Sequence, residues 1–165
     1  MKTSVVFSSK TGNTQQLANA VAAALPKQEL LYTGAPNEAA LAADRLYIGF
    51  WTDKGSCNRE IAAFLKQVKG KEVFLFGTAG FGGDAAYFDK VLTAVKKHLD
   101  RSNTVIGTYM CQGKMPQSVR ERYMKMKENP EHPANLDALI KNFDCALSHP
   151  DSDDLEKLRN LCRLR

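Results

Sequence analysis

This chain of 165 residues has no apolar run approaching the roughly 20 residues that a membrane-spanning helix requires. Its first residues, Met1-Lys2-Thr3-Ser4, run straight into a short apolar segment. They carry neither the apolar core nor the small-residue cleavage site of a secretory leader. Cysteine is scarce. Positions 57, 111, 145 and 162 are widely spaced and make no C-x-x-C pair, which speaks against a metal centre or a disulfide framework and for free, mostly buried thiols. Cys57 stands just ahead of a helical pattern, where a thiol can be activated. No histidine lies near it, since His98, His132 and His149 fall at helix ends and turns, and a cysteine phosphatase would need its thiolate inside a phosphate loop. No G-x-x-x-x-G-K-[ST] string occurs, and no G-x-G-x-x-G follows the first strand, which excludes the two best-known phosphate loops. Zinc patterns, helix-turn-helix spacing and aromatic–basic motifs are also missing. The net charge of +5 and isoelectric point near 9.0 therefore do not point to nucleic acid. The expectation is a cytoplasmic protein, monomeric or weakly dimeric, without membrane or nucleic-acid contacts.

What is present is a regular alternation of strands and helices. Val5-Val6-Phe7 marks a strand over about 4–8. Leu17, Val21 and Leu25 share one face of a helix over about 14–25, which Pro26 closes. Glu29-Leu30-Leu31-Tyr32 reads as a short edge strand, and 38–43 as a weak helix or turn. The runs Leu46–Trp51 and Glu72–Gly77 are almost uninterruptedly apolar, as in parallel strands buried on both faces. Helices over about 57–69, 84–99, 116–128 and 135–148 and a strand over 104–111 complete the series. The pattern predicts an α/β fold: a doubly wound, five-stranded parallel sheet of order 2-1-3-4-5 with helices on both faces. In such a sheet a ligand crevice opens beyond the carboxyl ends of the strands starting near 4, 46 and 72.

The most chemical stretch is Ser8-Ser9-Lys10-Thr11-Gly12-Asn13-Thr14, which links the first strand to the first helix. Hydroxyls, a glycine and an asparagine gather where a helix leaves N–H groups unpaired and its dipole is positive. That combination suits a phosphate. Residues 9–14, in the form S-x-T-G-N-T, resemble the phosphate loop of the flavodoxin family. The resemblance implies that this loop holds the 5′-phosphate of flavin mononucleotide (FMN). It extends over roughly residues 1–149 and, with no long insertion in the last strand, points to the short-chain type.

Two further loops fit the same expectation. Trp51-Thr52-Asp53-Lys54-Gly55 leaves the third strand and carries the only tryptophan, a flat face on which an aromatic ligand can stack. It resembles the flavodoxin segment beside the flavin N5 edge, where a peptide turns on reduction. Thr78-Ala79-Gly80-Phe81-Gly82-Gly83 resembles the second ring-binding loop, with backbone groups for the pyrimidine edge and Phe81 for the other ring face. Phe81 stands where flavodoxins often have tyrosine, and Tyr87 lies a turn further on. Gln112 and Lys114, at the end of the last strand, approach the same crevice.

The resemblance implies an electron carrier, with FMN cycling between redox states for a partner reductase or terminal oxidoreductase. Alternatives are an FMN-dependent reductase of quinone, azo or tetrapyrrole substrates, and a flavin-free interaction domain. A receiver domain of the same topology would need an acidic cluster after the first strand, which is missing here. Flavodoxins are usually acidic; this chain is basic. Lys114, Arg120, Arg122, Lys125 and Lys127 offer a docking face for an acidic partner. Residues 150–165 read as a helical tail with acids before bases, the order that suits the helix dipole. It either packs on its own domain or meets a partner.

Overall fold

The computed structural model describes residues 1–82 and 84–165. Parallel strands β1 (Thr3–Phe7), β2 (Leu30–Gly34) and β3 (Arg45–Asp53) alternate with α1 (Asn13–Ala24) and a short 3-10 turn at Glu38–Ala42. A two-residue strand β4 (Ser56–Cys57), α2 (Arg59–Leu65), β5 (Glu72–Ala79), α3 (Ala85–Lys96) and β6 (Thr104–Gln112) follow. Three helices end the chain: α4 (Gln117–Lys127), α5 (Leu136–Ala146) and α6 (Ser152–Arg163). The sheet runs β2-β1-β3-β5-β6, every pair parallel, and only β4 pairs antiparallel with β3. With β4 set aside this is the expected 2-1-3-4-5 order. No helix among the described residues is long and apolar enough to cross a membrane.

Strand side chains point alternately to opposite faces, and the core divides accordingly. Val6, Leu46, Ile48, Phe50, Val73 and Leu75 pack beneath α2 and α3. Val5, Tyr47, Phe74 and Phe76 pack beneath α1 and α6. Shape complementarity sets the strand register. Phe76 lies opposite Gly49 and Phe50 opposite Gly77, and a Cβ at either glycine would meet the facing ring at 2.3 Å. The neighbouring glycine leaves the room that each ring occupies.

Of the two readings left open for the terminal segment, the structure shows packing on its own domain. Helix α6 is no appendage: it packs against α1, burying Leu158 and Cys162 completely or nearly so, and closes one face of the sheet. Asp151 and Asp154 form a reciprocal capping box at its start, and Tyr109 of β6 donates a hydrogen bond to the Asp154 carbonyl. The added piece is instead the α4–α5 pair, which has a small core of its own around Tyr123, Leu136 and Phe143. The helix expected at 57–69 is shorter at both ends: residue 57 is taken into β4, and the chain leaves the helix after Leu65.

Truncating Leu158 to alanine removes a fully buried side chain from the α1–α6 seam. It is expected to cost about 2–5 kcal/mol in denaturant unfolding. Leu164→Ala, at a side chain 77% exposed, should leave the midpoint unchanged. Equal effects would contradict the packed position of α6.

Candidate functional site

The carboxyl ends of β1, β3, β5 and β6 come to one level: Trp51 lies beside Thr78, and Thr78 beside Cys111. A cleft of about 560 Å³ opens there. Its first wall is the loop from β1 to α1. Gly12 sits at the helix start with φ 89°, a left-handed turn that glycine adopts without strain, and a Cβ there would meet nothing within 4 Å. Lys10, Thr11 and Asn13 line the cleft. The loop's remaining hydroxyls do other work. Ser8 Oγ donates to Glu60 Oε2 at 3.0 Å, and Ser9 Oγ accepts from the Gly12 and Gln15 N–H groups at 3.1 and 3.2 Å. Thr14 is buried; its hydroxyl donates to the Phe50 carbonyl at 3.2 Å and lies 3.3 Å from Thr78 Oγ1. Ser8 and Thr14 therefore brace the wall rather than face the cleft. Asn13 is 6% exposed; its Nδ2 donates to the Lys114 carbonyl at 2.8 Å, while its Oδ1 is buried without a hydrogen-bond partner.

The second wall is a β-hairpin, not an irregular loop. Strand β3 continues through Asp53 and returns as Ser56–Cys57, with Asp53 opposite Ser56 and Thr52 opposite Cys57. Lys54 and Gly55 turn the corner with φ 51° and 80°. Both central residues are left-handed, as a two-residue turn of the I′ type demands. Asn58 fixes the hairpin: its N–H donates to the Trp51 carbonyl at 3.1 Å, and its Oδ1 accepts from the Trp51 N–H at 3.3 Å. Thr52 Oγ1 donates across to the Thr78 carbonyl at 2.8 Å. Trp51, Thr52, Lys54 and Gly55 line the cleft, whereas Asp53 is confined to the strand pair. Lys10 Nζ lies 5.0 Å from the Trp51 ring centroid, within reach of cation–π attraction, so the first two walls touch.

The third wall belongs to β5 and the residues after it. Thr78 and Ala79 are still in the strand, because β5 remains paired with β6 as far as Ala79–Gln112. Both line the cleft with Gly80, Phe81 and Tyr87. Phe81 is 41% exposed. Gly82 lies outside the lining, with the Phe88 ring against it. Gly83 lies outside the described residues. The Gly80 carbonyl accepts two side-chain amides, from Gln112 at 3.1 Å and Asn142 at 3.0 Å. Gln112 also donates to Asn142 Oδ1 at 3.0 Å. Gln112 thus braces the loop and does not face a ligand.

A fourth wall was not anticipated. Met115, Pro116, Ser118, Val119 and Arg122 join Lys114 along one side of the cleft. Ser118 and Val119 each share a helix face with Arg122, at spacings of four and three residues, a signal readable only once α4 is placed beside the crevice. Among the described residues the cationic lining is therefore Lys10, Lys54, Lys114 and Arg122, and no carboxylate lines the cleft.

Cys57 sits in β4, and not at a helix start. Burial pushes its thiol up, so it is the reverse of an activated nucleophile. Burial also raises Cys111 and pushes Cys162 up to about 12.

A profile of the flavodoxin domain matches residues 4–163. The chain belongs to the flavodoxin domain family. Among curated relatives, the flavodoxin-like domain-containing protein BilS of Clostridium symbiosum (strain WAL-14163) is 40% identical, across 94% of this chain and 90% of its own. BilS of Clostridioides difficile (strain CD3) is 26% identical with the same coverage. Among solved structures, oxidised flavodoxin 2 from Bacillus cereus aligns with a TM-score of 0.60 at 19% identity, over 98% of this chain and 95% of that one. A flavoprotein from Lactobacillus acidophilus NCFM in complex with FMN aligns at 0.52 and 16% identity, over 66% of this chain and 92% of that one. At these identities the structural likeness speaks for the flavodoxin fold.

Among the four cysteines only Cys145 is exposed. Native protein at neutral pH is expected to react with Ellman's reagent at one thiol, lost in Cys145→Ser, and at all four when unfolded. Rapid modification of Cys57 in the native state would contradict its burial.

Proposed function

We propose that the cleft holds FMN and that the chain carries electrons on it to a partner oxidoreductase. The observation that supports this most is the meeting, at the strand switch point, of a helix start, two aromatic-bearing loops and cations with no carboxylate among the described lining residues. The residues fit such a group. Buried Asn13 Oδ1 lacks a partner, and a hydroxyl of the ligand's polyol chain would satisfy it. Lys10 and Thr11, with the N–H groups at the start of α1, would hold the phosphate. Ser9 Oγ, already holding two N–H groups, shapes that loop from within. Trp51, Phe81 and Tyr87 would border the ring; Thr52, Lys54, Gly55 and the Thr78–Gly80 backbone would meet its polar edges.

Bound FMN supplies reversible one- and two-electron transfer at its ring system. The chain's own part is binding, orientation and electrostatics. Lys10 and Lys54 place positive charge at the cleft and favour an electron-rich ring, which makes the potential for the second electron less negative than in acidic flavodoxins. An acidic partner is the complement of the cleft rim. Arg120 and Lys127 are less available to it than the sequence suggests, since they pair with Asp144 and Asp137 of α5 at 2.9 and 3.1 Å. Lys125 remains exposed outside the cleft and would chiefly raise the encounter rate. A second reading, an FMN-dependent reductase of quinone, azo or tetrapyrrole substrates, is favoured by one feature: the apolar side chains Met115 and Val119 share the cleft with these cations.

Recombinant protein is expected to purify yellow, or to quench the fluorescence of added FMN. Colourless protein that leaves FMN fully fluorescent at saturation overturns the reading. Steady NAD(P)H turnover with small acceptors would favour the reductase over the carrier. Replacing both lysines in K10Q/K54Q is expected to move the potential for the second electron to more negative values by roughly tens of millivolts. That corresponds to an order of 1 kcal/mol for a charge near solvent. An unchanged potential in an equilibrium dye titration would show that these charges do not act on the ring.

A further inference from the structure

The α4 side of the cleft carries groups that the phosphate loop and the ring loops do not account for. α4 and α5 are not needed to cover the sheet, which α6 closes, and they are held together by their own core. The cations of α4 differ in their surroundings. Arg120 and Lys127 are neutralised by carboxylates of α5, and Lys125 stands exposed outside the cleft, whereas Arg122, turned to the cleft, has no carboxylate partner among the described residues, and neither has Lys114 just before the helix. Between these two charges the wall is apolar, formed by Met115 and Val119, with the Ser118 hydroxyl beside them. Unpaired cations beside apolar side chains in a concave site define a ligand with an apolar body and a carboxylate. Phosphate recognition does not require this wall, because Lys10, Thr11 and the start of α1 already provide for one dianion.

We infer that Lys114 and Arg122 form an anion subsite that holds the carboxylate of a small, largely apolar molecule against the α4 wall, beside the flavin. This inference rests on the FMN reading above. A small molecule fits better than the acidic side chain of a protein, because the cations share a concave cleft with Met115 and Val119 instead of standing on an open convex face.

The test uses the FMN-loaded protein with 1-pyrenebutyrate and its uncharged counterpart 1-pyrenebutanol, titrated by pyrene fluorescence. The carboxylate is expected to bind at least ten-fold more tightly than the alcohol. K114Q/R122Q should abolish that preference while retaining FMN, measured by flavin absorbance. K66Q/K97Q, which removes the same charge from α2 and α3 surroundings away from the cleft, should keep it. Equal binding of the two probes, or a preference that survives K114Q/R122Q, overturns the subsite and leaves the flavin reading intact. Binding of poly-L-glutamate without binding of pyrenebutyrate overturns it in favour of an acidic protein. Failure to take up FMN at all overturns the flavin reading and the subsite together.

Discussion

The hydroxyl of Thr14 is donated downward to the Phe50 carbonyl and lies against Thr78 Oγ1, so the start of α1 is tied to the ends of β3 and β5 beneath the cleft. A buried hydroxyl without a partner is costly, and this one finds its partners on two other pieces of chain. The other walls hang from that junction. Thr52 reaches the Thr78 carbonyl, Asn58 grips both backbone groups of Trp51, and Gly80 is held from the far side by Gln112 and Asn142. The loops of the site are pinned by named polar contacts of 2.8 to 3.3 Å, buried or part-buried.

The sheet order and the position of the crevice were legible because they follow from local signals. Apolar runs, a hydroxyl-rich loop and a glycine at its end need no knowledge of distant residues. What escaped depends on long-range partners. The direction of the Ser8 and Thr14 hydroxyls is decided by Glu60 and by the ends of β3 and β5, far along the chain. The hairpin at 51–57 was hidden because Lys54, a residue seldom left-handed, occupies the first corner position. Helix α6 read as a tail because its apolar stripe is short, yet that stripe meets α1 and completes the sandwich.

The distribution of charge on α4 shows how one helix can serve two purposes. Arg120 and Lys127 find carboxylates of α5 and hold the pair together; Arg122, facing the cleft, finds none among the described residues. Composition gives only the sum of the two sets. A net charge of +5 is in that sense a poor guide, since what matters is which cations are left without a counter-charge and where they gather.

The private core of the α4–α5 pair has a historical consequence. A module whose core is built from its own residues, and which meets the sheet through the Gln112–Asn142 contact, can drift, lengthen or be exchanged among descendants while the sheet keeps its register and the helix-start loop its shape. Divergence in what these proteins recognise will therefore accumulate between residues 113 and 149, and lineages should differ there first.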